Sequence, residues 1–506
     1  MNLERIKPIR KARVGLYSVG MAAYWDQFKG LRERLIGYNE FIAQRMGGLA
    51  EVYNFGLVDS EAKGHAAGEY FNANNVDLLF CHVATYALSA DHLPAARICK
   101  KPVIILNLQP TDQMNYAKTG IGEWLAHVNG CAIPECTNGM TRLGIPNHLV
   151  SGLLGMDETP PISITNEVTS QHPAAVAAWN EIEQWIRAAS VVRTLEHSRI
   201  GMLGHVFSGM ADLYTDYTLV DDQLGVHIPT LEMDDLARLV DSVTEAEKRA
   251  KLDQIREMFL ISEEKVADEF IATPTQEDLD WTATVSAAQD KLVREFDLDG
   301  IAYHYNGTVG SYIEKLHASL AVGHTILTGQ GIPCAGEGDL KTCLAMKITD
   351  TLDVGGQFTQ VLAADYVSNT LLMGHDGPFH IGIADGKPIL RRKLVIHGKH
   401  GSGVAVEATV KKGSITNLGV TQDKHTLRLI AHRGRTVEGQ ILQIGDTQTH
   451  VDTGMEPAAF MNAWFGLIPQ HHWSMSVGDN LEQFRKVAQL LSLPFDVVGE
   501  AHGEIH

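Results

Sequence analysis

The feature that most constrains this fold is an alternation of apolar runs with amphipathic segments along the first part of the chain. Residues 13–19, 76–83 and 101–108 are nearly continuous apolar runs, and residues 28–46 have helical periodicity. Strands that are apolar on both faces are typical of a parallel sheet covered by helices, because a βαβ crossover places its helix on a face of the sheet. The sequence therefore predicts an N-terminal α/β domain, which we place at residues 1–172.

A second α/β domain is expected over residues 173–330. It contains two further apolar runs, at residues 199–204 and 299–305, which we interpret as strands. Between them, the charged segment 234–259 has helical periodicity and predicts one long helix.

The last part of the chain has a different pattern, from about Val354 onward. Its short apolar runs are separated by turn residues, which indicates an antiparallel sheet or barrel. Helical periodicity returns at residues 457–465 and 480–491. We expect a third, β-rich domain at residues 331–506.

Charge and composition exclude several classes of partner. The chain has 42 Lys and Arg residues against 61 Asp and Glu residues, a formal net charge of −19. An acidic surface repels phosphate backbones and anionic lipids, so neither nucleic acid nor a membrane is expected as a partner. No uninterrupted apolar run reaches the roughly 18 residues that a membrane span needs.

Cysteine usage predicts a cytoplasmic protein. Six cysteines in 506 residues are too few for a disulfide framework and suit a reducing compartment. Cys131 and Cys136 are close in sequence, but no second pair follows, so we expect no structural zinc site.

Two polar side chains lie where a ligand of the N-terminal sheet would bind. His82 is near the end of one predicted strand, and Gln109 directly follows another. Ligands of doubly wound sheets bind beyond the carboxyl ends of the strands, so both residues are candidate substrate contacts. The alternative is that each is a loop polar group satisfied by nearby backbone.

Three short segments in the last third of the chain bring together residue types suited to metal chemistry. Glu337 lies between two glycines in CAGEGDLKT, His375 ends the apolar run in LLMGHDGP, and His471 and His472 are adjacent in PQHHW. Taken singly, each segment has an ordinary structural explanation. Glu337 would be an acid in the first turn of a helix, His375 the end of a strand, and His471 and His472 solvated loop side chains. Taken together, a carboxylate and imidazoles suit Mn²⁺, Fe²⁺, Co²⁺ or Zn²⁺.

These segments resemble the L-arabinose isomerase family, within the wider group of L-fucose and L-arabinose isomerases. AGEGDLKT at residues 335–342 is similar to the family signature. Three further features follow in the family's order: Gly355-Gly356 ahead of Phe358-Thr359-Gln360, the His375 segment, and His471-His472 ahead of a helix–strand segment at residues 481–498. Before Ile332 the resemblance rests on the order of α/β elements.

The resemblance implies a fold, an assembly and an activity. The fold is two parallel-sheet α/β domains followed by a C-terminal domain with an antiparallel β-barrel, and the assembly is a homotetramer or homohexamer. The activity is interconversion of an aldose and a ketose via a cis-enediol, with a divalent metal, usually Mn²⁺. Glu337 would be a metal-binding and catalytic carboxylate, His375 and His472 metal ligands, and His471 a neighbouring substrate contact.

The chain departs from the family at its second glutamate, where the matching residue is Gln360. An amide binds a metal through its carbonyl oxygen but cannot accept a proton as a base. Either Glu337 makes both proton transfers or another acid substitutes, with Asp365 the first candidate and Asp339 and Asp376 the others. A changed reaction is the third possibility.

Three functions therefore stay open. The first is a metal-dependent sugar isomerase. A modified or different sugar is favoured over L-arabinose, since the family's substrate-loop pattern after Gln109 is not recognisable. The second is an epimerase or lyase that keeps the metal and acts on a sugar derivative through an enediolate. The third is a non-catalytic sugar-binding protein.

Overall fold

The structure, a computed structural model, describes residues 3–394 and 403–500. The chain divides into two compact units. One is Arg10–Arg193, here called the N-terminal unit, and the other is Met1–Ile9 with Thr194–His506, here called the larger unit. Division into three domains after residues 172 and 330 stays a prediction.

The N-terminal unit is built on a five-stranded parallel sheet. Its strands are β1 (Arg13–Val19), β2 (Glu51–Val58), β3 (Leu78–Val83), β4 (Val103–Gln109) and β5 (Asn147–Leu153). Its helices are α1 (Leu31–Met46), α2 (Glu61–Ala73), α3 (Ser89–Cys99), α4 (Ile121–Trp124), α5 (Ile133–Arg142) and α6 (Pro173–Leu195), the last ending in the larger unit.

The strand order in this sheet is β2-β1-β3-β4-β5, with every neighbouring pair parallel. The order reverses between β1 and β3, as in other doubly wound sheets. β3 is buried along its whole length, which explains its nearly continuous apolar sequence. The predicted α/β fold of this segment is confirmed.

Helices α2 and α3 approach each other closely at a glycine. A Cβ atom on Gly64 of α2 would lie 2.1 Å from the carbonyl oxygen of Asp91 on α3. Gly37, inside α1, has no such neighbour, because a Cβ atom there would meet nothing within 4 Å. The packing of α2 on α3 therefore requires a residue without a side chain at position 64.

Over its described residues, the larger unit contains three sheets. Its strands are β6 (Ile200–Gly204), β7 (Thr230–Leu231), β8 (Leu260–Ile261), β9 (Ile271–Ala272), β10 (Gly300–His304), β11 (Cys334–Ala335), β12 (Gln357–Asp365), β13 (Thr370–His375), β14 (Ile389–Lys393), β15 (Gly403–Glu407), β16 (Gly413–Gln422), β17 (Leu427–Val437), β18 (Thr447–Asp452), β19 (Trp473–Val477) and β20 (Phe495–Val497). Its helices are α7 (Tyr217–Leu224), α8 (Met233–Asp241), α9 (Glu245–Met258), α10 (Gln276–Glu295), α11 (Tyr312–His317), α12 (Ala321–Gly329), α13 (Leu340–Thr351), α14 (Pro457–Gly466) and α15 (Leu481–Leu491).

The first of these sheets is parallel, with the order β11-β10-β6-β7. Strands β6 and β10 confirm the two strands predicted at residues 199–204 and 299–305. A second, small sheet joins β15, β14 and β8, with β9 paired to β14. The prediction of one long helix over residues 234–259 is wrong, because this segment forms two helices, α8 and α9, with a short non-helical connection between them.

Thr244 is the reason for that break. Its hydroxyl accepts a hydrogen bond from the Glu247 amide, and the Glu247 carboxylate accepts one from the Thr244 amide. This capping box satisfies amide groups that the first turn of a new helix leaves unpaired. The helical periodicity of the apolar residues continues across the connection, so the sequence pattern does not indicate that the helix is interrupted. Along residues 3–394 and 403–500, no helix combines the length and the apolar character needed to cross a membrane.

The third sheet is largely antiparallel and carries much of the larger unit's core. Its order is β16-β19-β12-β13-β18-β17-β20, and β16 also pairs with β17. The first six strands therefore pair in a closed antiparallel ring, to which β20 adds a parallel strand. Phe460 and Trp464 of α14 and Trp473 of β19 are buried in this core. This agrees with the antiparallel sheet expected after Val354.

Substitution of Gly64 tests the close packing of the N-terminal unit. We expect Gly64→Ala to lower the free energy of unfolding by about 1–3 kcal/mol, because α2 and α3 must separate to admit the methyl group. Gly37→Ala is the matched control and should raise it by about 0.5–1 kcal/mol, since alanine favours a helix where space is open. Urea denaturation followed by circular dichroism measures both. Equal effects of the two substitutions would contradict this packing.

Candidate metal centre and active site

Three separated segments of the larger unit bring Glu337, His375 and His472 together. One ligand atom from each of these side chains lies within 4.8 Å of the others, so the group can hold a metal ion. Glu337 lies in the turn between β11 and α13, His375 ends β13, and His472 directly precedes β19. Strand β12 lies between β13 and β19. The Phe358 ring on β12 packs against both imidazoles, with centroids 4.5 and 4.4 Å away.

The backbone at Glu337 has an uncommon conformation. Its φ is 59°, in the left-handed region that residues with a side chain seldom adopt. Its carbonyl oxygen accepts a hydrogen bond from the Phe207 amide at 2.9 Å. The next residue, Gly338, also has a positive φ, and a Cβ atom there would lie 2.6 Å from the His205 carbonyl oxygen. A glycine is therefore needed beside Glu337, and the surrounding backbone fixes the direction of its carboxylate.

His472 is held by a fully buried carboxylate. Its Nδ1 lies 2.9 Å from Oδ2 of Asp339. Oδ1 of Asp339 accepts a hydrogen bond from the Thr342 amide and so caps α13, and both of its oxygens accept from the Gln470 amide group. Burial raises the pKa of Asp339, but the hydrogen bond and charge of His472, with the charge of Lys341, lower it further, so the net pKa is well below the ordinary value. Asp339 is therefore ionised, and Nδ1 of His472 is the donor.

His375 is oriented in the same way by its neighbour in the chain. Its Nδ1 lies 2.6 Å from the backbone oxygen of Asp376 and 3.0 Å from the Asp376 carboxylate. A backbone oxygen only accepts hydrogen bonds, so Nδ1 of His375 must carry the proton.

With Nδ1 protonated on both rings, the Nε2 atoms are left to face each other. Nε2 of His375 and Nε2 of His472 are 3.1 Å apart. Burial lowers the pKa of His375, but the hydrogen bond and charge of Asp376, with the charge of Glu337, raise it above the ordinary value. A proton on Nε2 of His375 can therefore be donated to Nε2 of His472, and a metal ion in place of that proton would be bound by both nitrogens. The donor set of this structure therefore fits a metal ion.

The Glu337 carboxylate completes the group. Its Oε1 lies 3.7 Å from Nε2 of His375, and its Oε2 lies 3.7 Å from Nε2 of His472. Oε2 is buried and has no hydrogen-bond partner among the described residues. Burial raises the pKa of Glu337, but His471, His472 and His375 together outweigh that effect, and the net pKa is below the ordinary value. The carboxylate is therefore ionised at neutral pH.

The adjacent histidines differ in protonation. Nδ1 of His471 lies 2.5 Å from the Asp212 carboxylate, and its Nε2 lies 3.5 Å from Oε2 of Glu337. Burial lowers the pKa of His471, but these two carboxylates raise it to about 9. Burial lowers the pKa of His472 to about 4, despite the hydrogen bond to Asp339. His471 is thus a cation at neutral pH, whereas His472 is a neutral ring with a lone pair to donate.

A cavity of about 110 Å³ opens beside this group. Glu337, His375 and Asp376 line one part of it, and His304 and His317 line another. A cavity that a few converging polar groups line is typical of a site for a small ligand.

Gln360 and Asp365 occupy different parts of β12. Gln360 is half-buried and pairs with Gly374, next to His375. Because side chains alternate along a strand, Gln360 points to the same face as Phe358, which contacts the two imidazoles. Asp365 is about 16 Å further along the strand. Its Oδ1 accepts hydrogen bonds from the Val367 and Ser368 amides, as an aspartate in a turn does.

His82 and Gln109 belong to the N-terminal unit and make hydrogen bonds within it. Nδ1 of His82 is 2.9 Å from the Ser18 hydroxyl, and the side chain is buried. The amide nitrogen of Gln109 donates to the His127 carbonyl oxygen and the Asn129 side chain. Their role as substrate contacts stays a prediction.

Sequence reasoning missed several residues that shape this group. Asp339 is a candidate substitute acid by sequence, but an aspartate just before a helix is also an ordinary capping signal. Gln470 could have been noticed because it precedes the histidine pair, and His304 because it ends a parallel strand. Asp212 gave no signal, since it is distant in sequence from the histidine that it contacts.

Comparison with known proteins identifies relatives of the chain. The L-arabinose isomerase of Aeromonas salmonicida (strain A449) is 21% identical over 333 residues, which span 64% of each chain. The chain is a divergent relative of the L-arabinose isomerases. The L-arabinose isomerase of Aeromonas hydrophila subsp. hydrophila is also 21% identical, over 331 residues that span 63% of this chain and 64% of that protein. No family model matches the chain.

This relationship confirms the resemblance noted in the sequence segments. The match spans less than two thirds of the length of each relative. At this identity the match establishes a distant relationship to the L-arabinose isomerases, and it does not establish a particular activity.

Substitution of Asp339 tests the support of His472. We expect Asp339→Asn to weaken Mn²⁺ binding by about 10–100-fold, because the loss of a carboxylate partner lowers the basicity and order of a ligating imidazole. Asp365→Asn makes the same chemical change in a turn and should leave affinity unchanged. Isothermal titration of metal-free protein measures both, with circular dichroism to verify folding. Unchanged affinity in a folded Asp339→Asn variant would show that this hydrogen bond does not support a metal ligand.

Proposed function

We propose that the protein is a metal-dependent sugar isomerase, which interconverts an aldose and a ketose via a cis-enediol. The observation that carries this proposal is the position of Glu337. Its ionised carboxylate borders a cavity, lies within 3.7 Å of three imidazole rings, and has an oxygen without a hydrogen-bond partner among the described residues. The kinship with L-arabinose isomerases supports the same reaction class.

Glu337, His375 and His472 would hold the metal, with the side-chain oxygen of Gln360 as a further ligand and Mn²⁺ as the expected ion. A divalent cation there would supply positive charge beside neighbouring sugar oxygens and acidify the hydrogen on the adjoining carbon. The three residues fit this task because their donor atoms converge and both imidazoles are held with Nε2 directed inward.

Glu337 would move the proton between C1 and C2. Its carboxylate is ionised at neutral pH, so Oε2 can accept a proton from the carbon next to the carbonyl group. The same oxygen can return that proton to the neighbouring carbon. His471, a cation at neutral pH, lies beside Oε2 and would stabilise the negative charge that develops on the substrate.

The structure favours Glu337 for both transfers over the substitute acids. Asp339 already accepts hydrogen bonds from His472, Thr342 and Gln470, and Asp365 accepts two in a turn. Asp376 also lines the cavity and is the alternative second acid, although it contacts Nδ1 of His375.

A second function is favoured by Gln360. With an amide in place of the family's second glutamate, the site has one carboxylate fewer to manage proton movement. An epimerase or lyase that acts on a sugar derivative through an enediolate needs the same cation site but a different second step. We keep this as the alternative to isomerisation.

We extend the proposal to architecture and assembly. The closed ring of six strands would be the family's antiparallel β-barrel, and the chain would form a homotetramer or homohexamer. The support is the order of strand pairing and the kinship with L-arabinose isomerases. Light scattering coupled to size-exclusion chromatography measures the assembly.

Substitution of Glu337 tests the reaction class. We expect wild-type protein loaded with Mn²⁺ to interconvert members of a panel of aldoses and ketoses in D₂O, with deuterium entering at C1 or C2. Glu337→Gln should lower turnover by at least about 100-fold, because removal of a general base typically costs 10²–10⁴-fold. Asp365→Asn, the matched change in the turn, should keep full activity.

The outcomes of this assay separate the candidate functions. Deuterium exchange without a ketose or aldose product would favour the epimerase or lyase. Sugar binding without exchange would contradict both enzymes. Full activity of Glu337→Gln would overturn the assignment of the base.

The effect of Gln360 is tested by restoring the family residue. We expect Gln360→Glu to increase isomerisation relative to other products, because a carboxylate there supplies a second group that can carry a proton. Product ratios measured by nuclear magnetic resonance give the result. Asp376→Asn in the same assay determines whether Asp376 supplies that group in the wild-type protein, and unchanged ratios in Gln360→Glu would show that residue 360 does not set the reaction type.

A further inference from the structure

A second group of metal-ligating side chains lies in the core of the N-terminal unit. Cys81 on β3, His92 on α3 and Cys136 on α5 each offer one ligand atom, and these atoms lie within 4.8 Å of one another. All three side chains are buried, with exposed fractions of 0, 2 and 1%. Two thiols and an imidazole thus meet at a point that three elements enclose.

His92 has an unsatisfied nitrogen. Its Nδ1 is buried and has no hydrogen-bond partner among the described residues. Burial lowers the pKa of His92 to about 4, so the ring is neutral and keeps a lone pair. A buried polar atom without a partner destabilises the folded state, so a ligand for this ring would stabilise the fold.

The two thiols differ from most other cysteines of the chain. Cys131, Cys334 and Cys343 donate hydrogen bonds to backbone carbonyl oxygens. Cys81 and Cys136 instead lie side by side, and the Cys81 thiol, together with burial, raises the pKa of Cys136. The Tyr17 hydroxyl is buried near Cys81.

We propose that Cys81, Cys136 and His92 supply three ligands of a buried Zn²⁺ site separate from the Glu337 group. Thiolate and imidazole are the ligands that zinc prefers in proteins, whereas Mn²⁺ and Mg²⁺ favour oxygen. On binding, each thiol releases its proton to solvent and no electrons are transferred. The ion would join β3, α3 and α5 within the core and occupy the unsatisfied nitrogen of His92. Sequence spacing did not reveal this site because its ligands belong to three different elements.

A disulfide between Cys81 and Cys136 accounts for less of what is observed. It would require an oxidant to remove two electrons from the thiols, and it would leave Nδ1 of His92 without a partner. Metal binding uses all three side chains.

Cobalt substitution tests the proposal in the full-length protein. Co²⁺ bound by thiolates has ultraviolet charge-transfer absorption that nitrogen and oxygen ligands do not give, so the Glu337 group is silent in this measurement. We expect protein produced with Co²⁺ to show this absorption. Cys136→Ser should abolish it, and Cys99→Ser, the same change in the same core but outside the group, should retain it.

Zinc analysis gives a second measurement that does not depend on the sugar reaction. We expect protein produced with zinc to retain one tightly bound ion in the His375→Ala variant and to lose that ion in Cys136→Ser. If Cys136→Ser does not fold, the wild-type spectrum and the zinc content of His375→Ala decide the question alone.

Two results would overturn the site. The first is wild-type protein without thiolate-to-cobalt absorption. The second is an intact mass, measured after denaturation without reductant, that is two hydrogens lighter than the reduced chain, which would show a disulfide.

Discussion

The buried carboxylate of Asp339 is the interaction on which the arrangement of the candidate site depends. It caps α13, accepts from Gln470 and fixes the ring of His472. A helix start, a loop and a candidate metal ligand are thus held by one ionised group. Because a buried charge without partners is costly, the burial of Asp339 depends on these three contacts. The turn that presents Glu337 comes immediately before this residue, so the same group also fixes the fourth element of the site.

The sequence predicted the parts of the fold that follow from local periodicity. Nearly continuous apolar runs predicted β1, β3, β4, β6 and β10, because strands covered on both faces exclude polar residues. It did not predict the break at Thr244, since a capping box interrupts a helix without interrupting its apolar pattern. It also gave no strand order, because pairing depends on contacts between distant residues.

The candidate site was predictable to the extent that its residues lie in recognisable segments. Glu337, His375 and His472 were each found in a distinctive short segment, and the structure brings them together. The supporting partners were harder to find. Asp212 contacts His471 across 259 positions of sequence, and the group of Cys81, His92 and Cys136 combines residues from three elements. Local motifs carry no information about such contacts, which the packing of whole elements determines.

Because residue 360 lies on a strand of the closed ring, its side chain can be changed with little effect on the fold. Strand β12 is held on both sides, by β13 and β19, so its backbone has little freedom to shift. An exchange between amide and carboxylate at position 360 changes neither the size nor the path of the chain appreciably. Under the proposed function, replacement of this one residue would therefore change the number of carboxylates in the site, while the strands that present it would stay in place. Overall sequence identity among chains that share this scaffold would then say little about a change confined to this position.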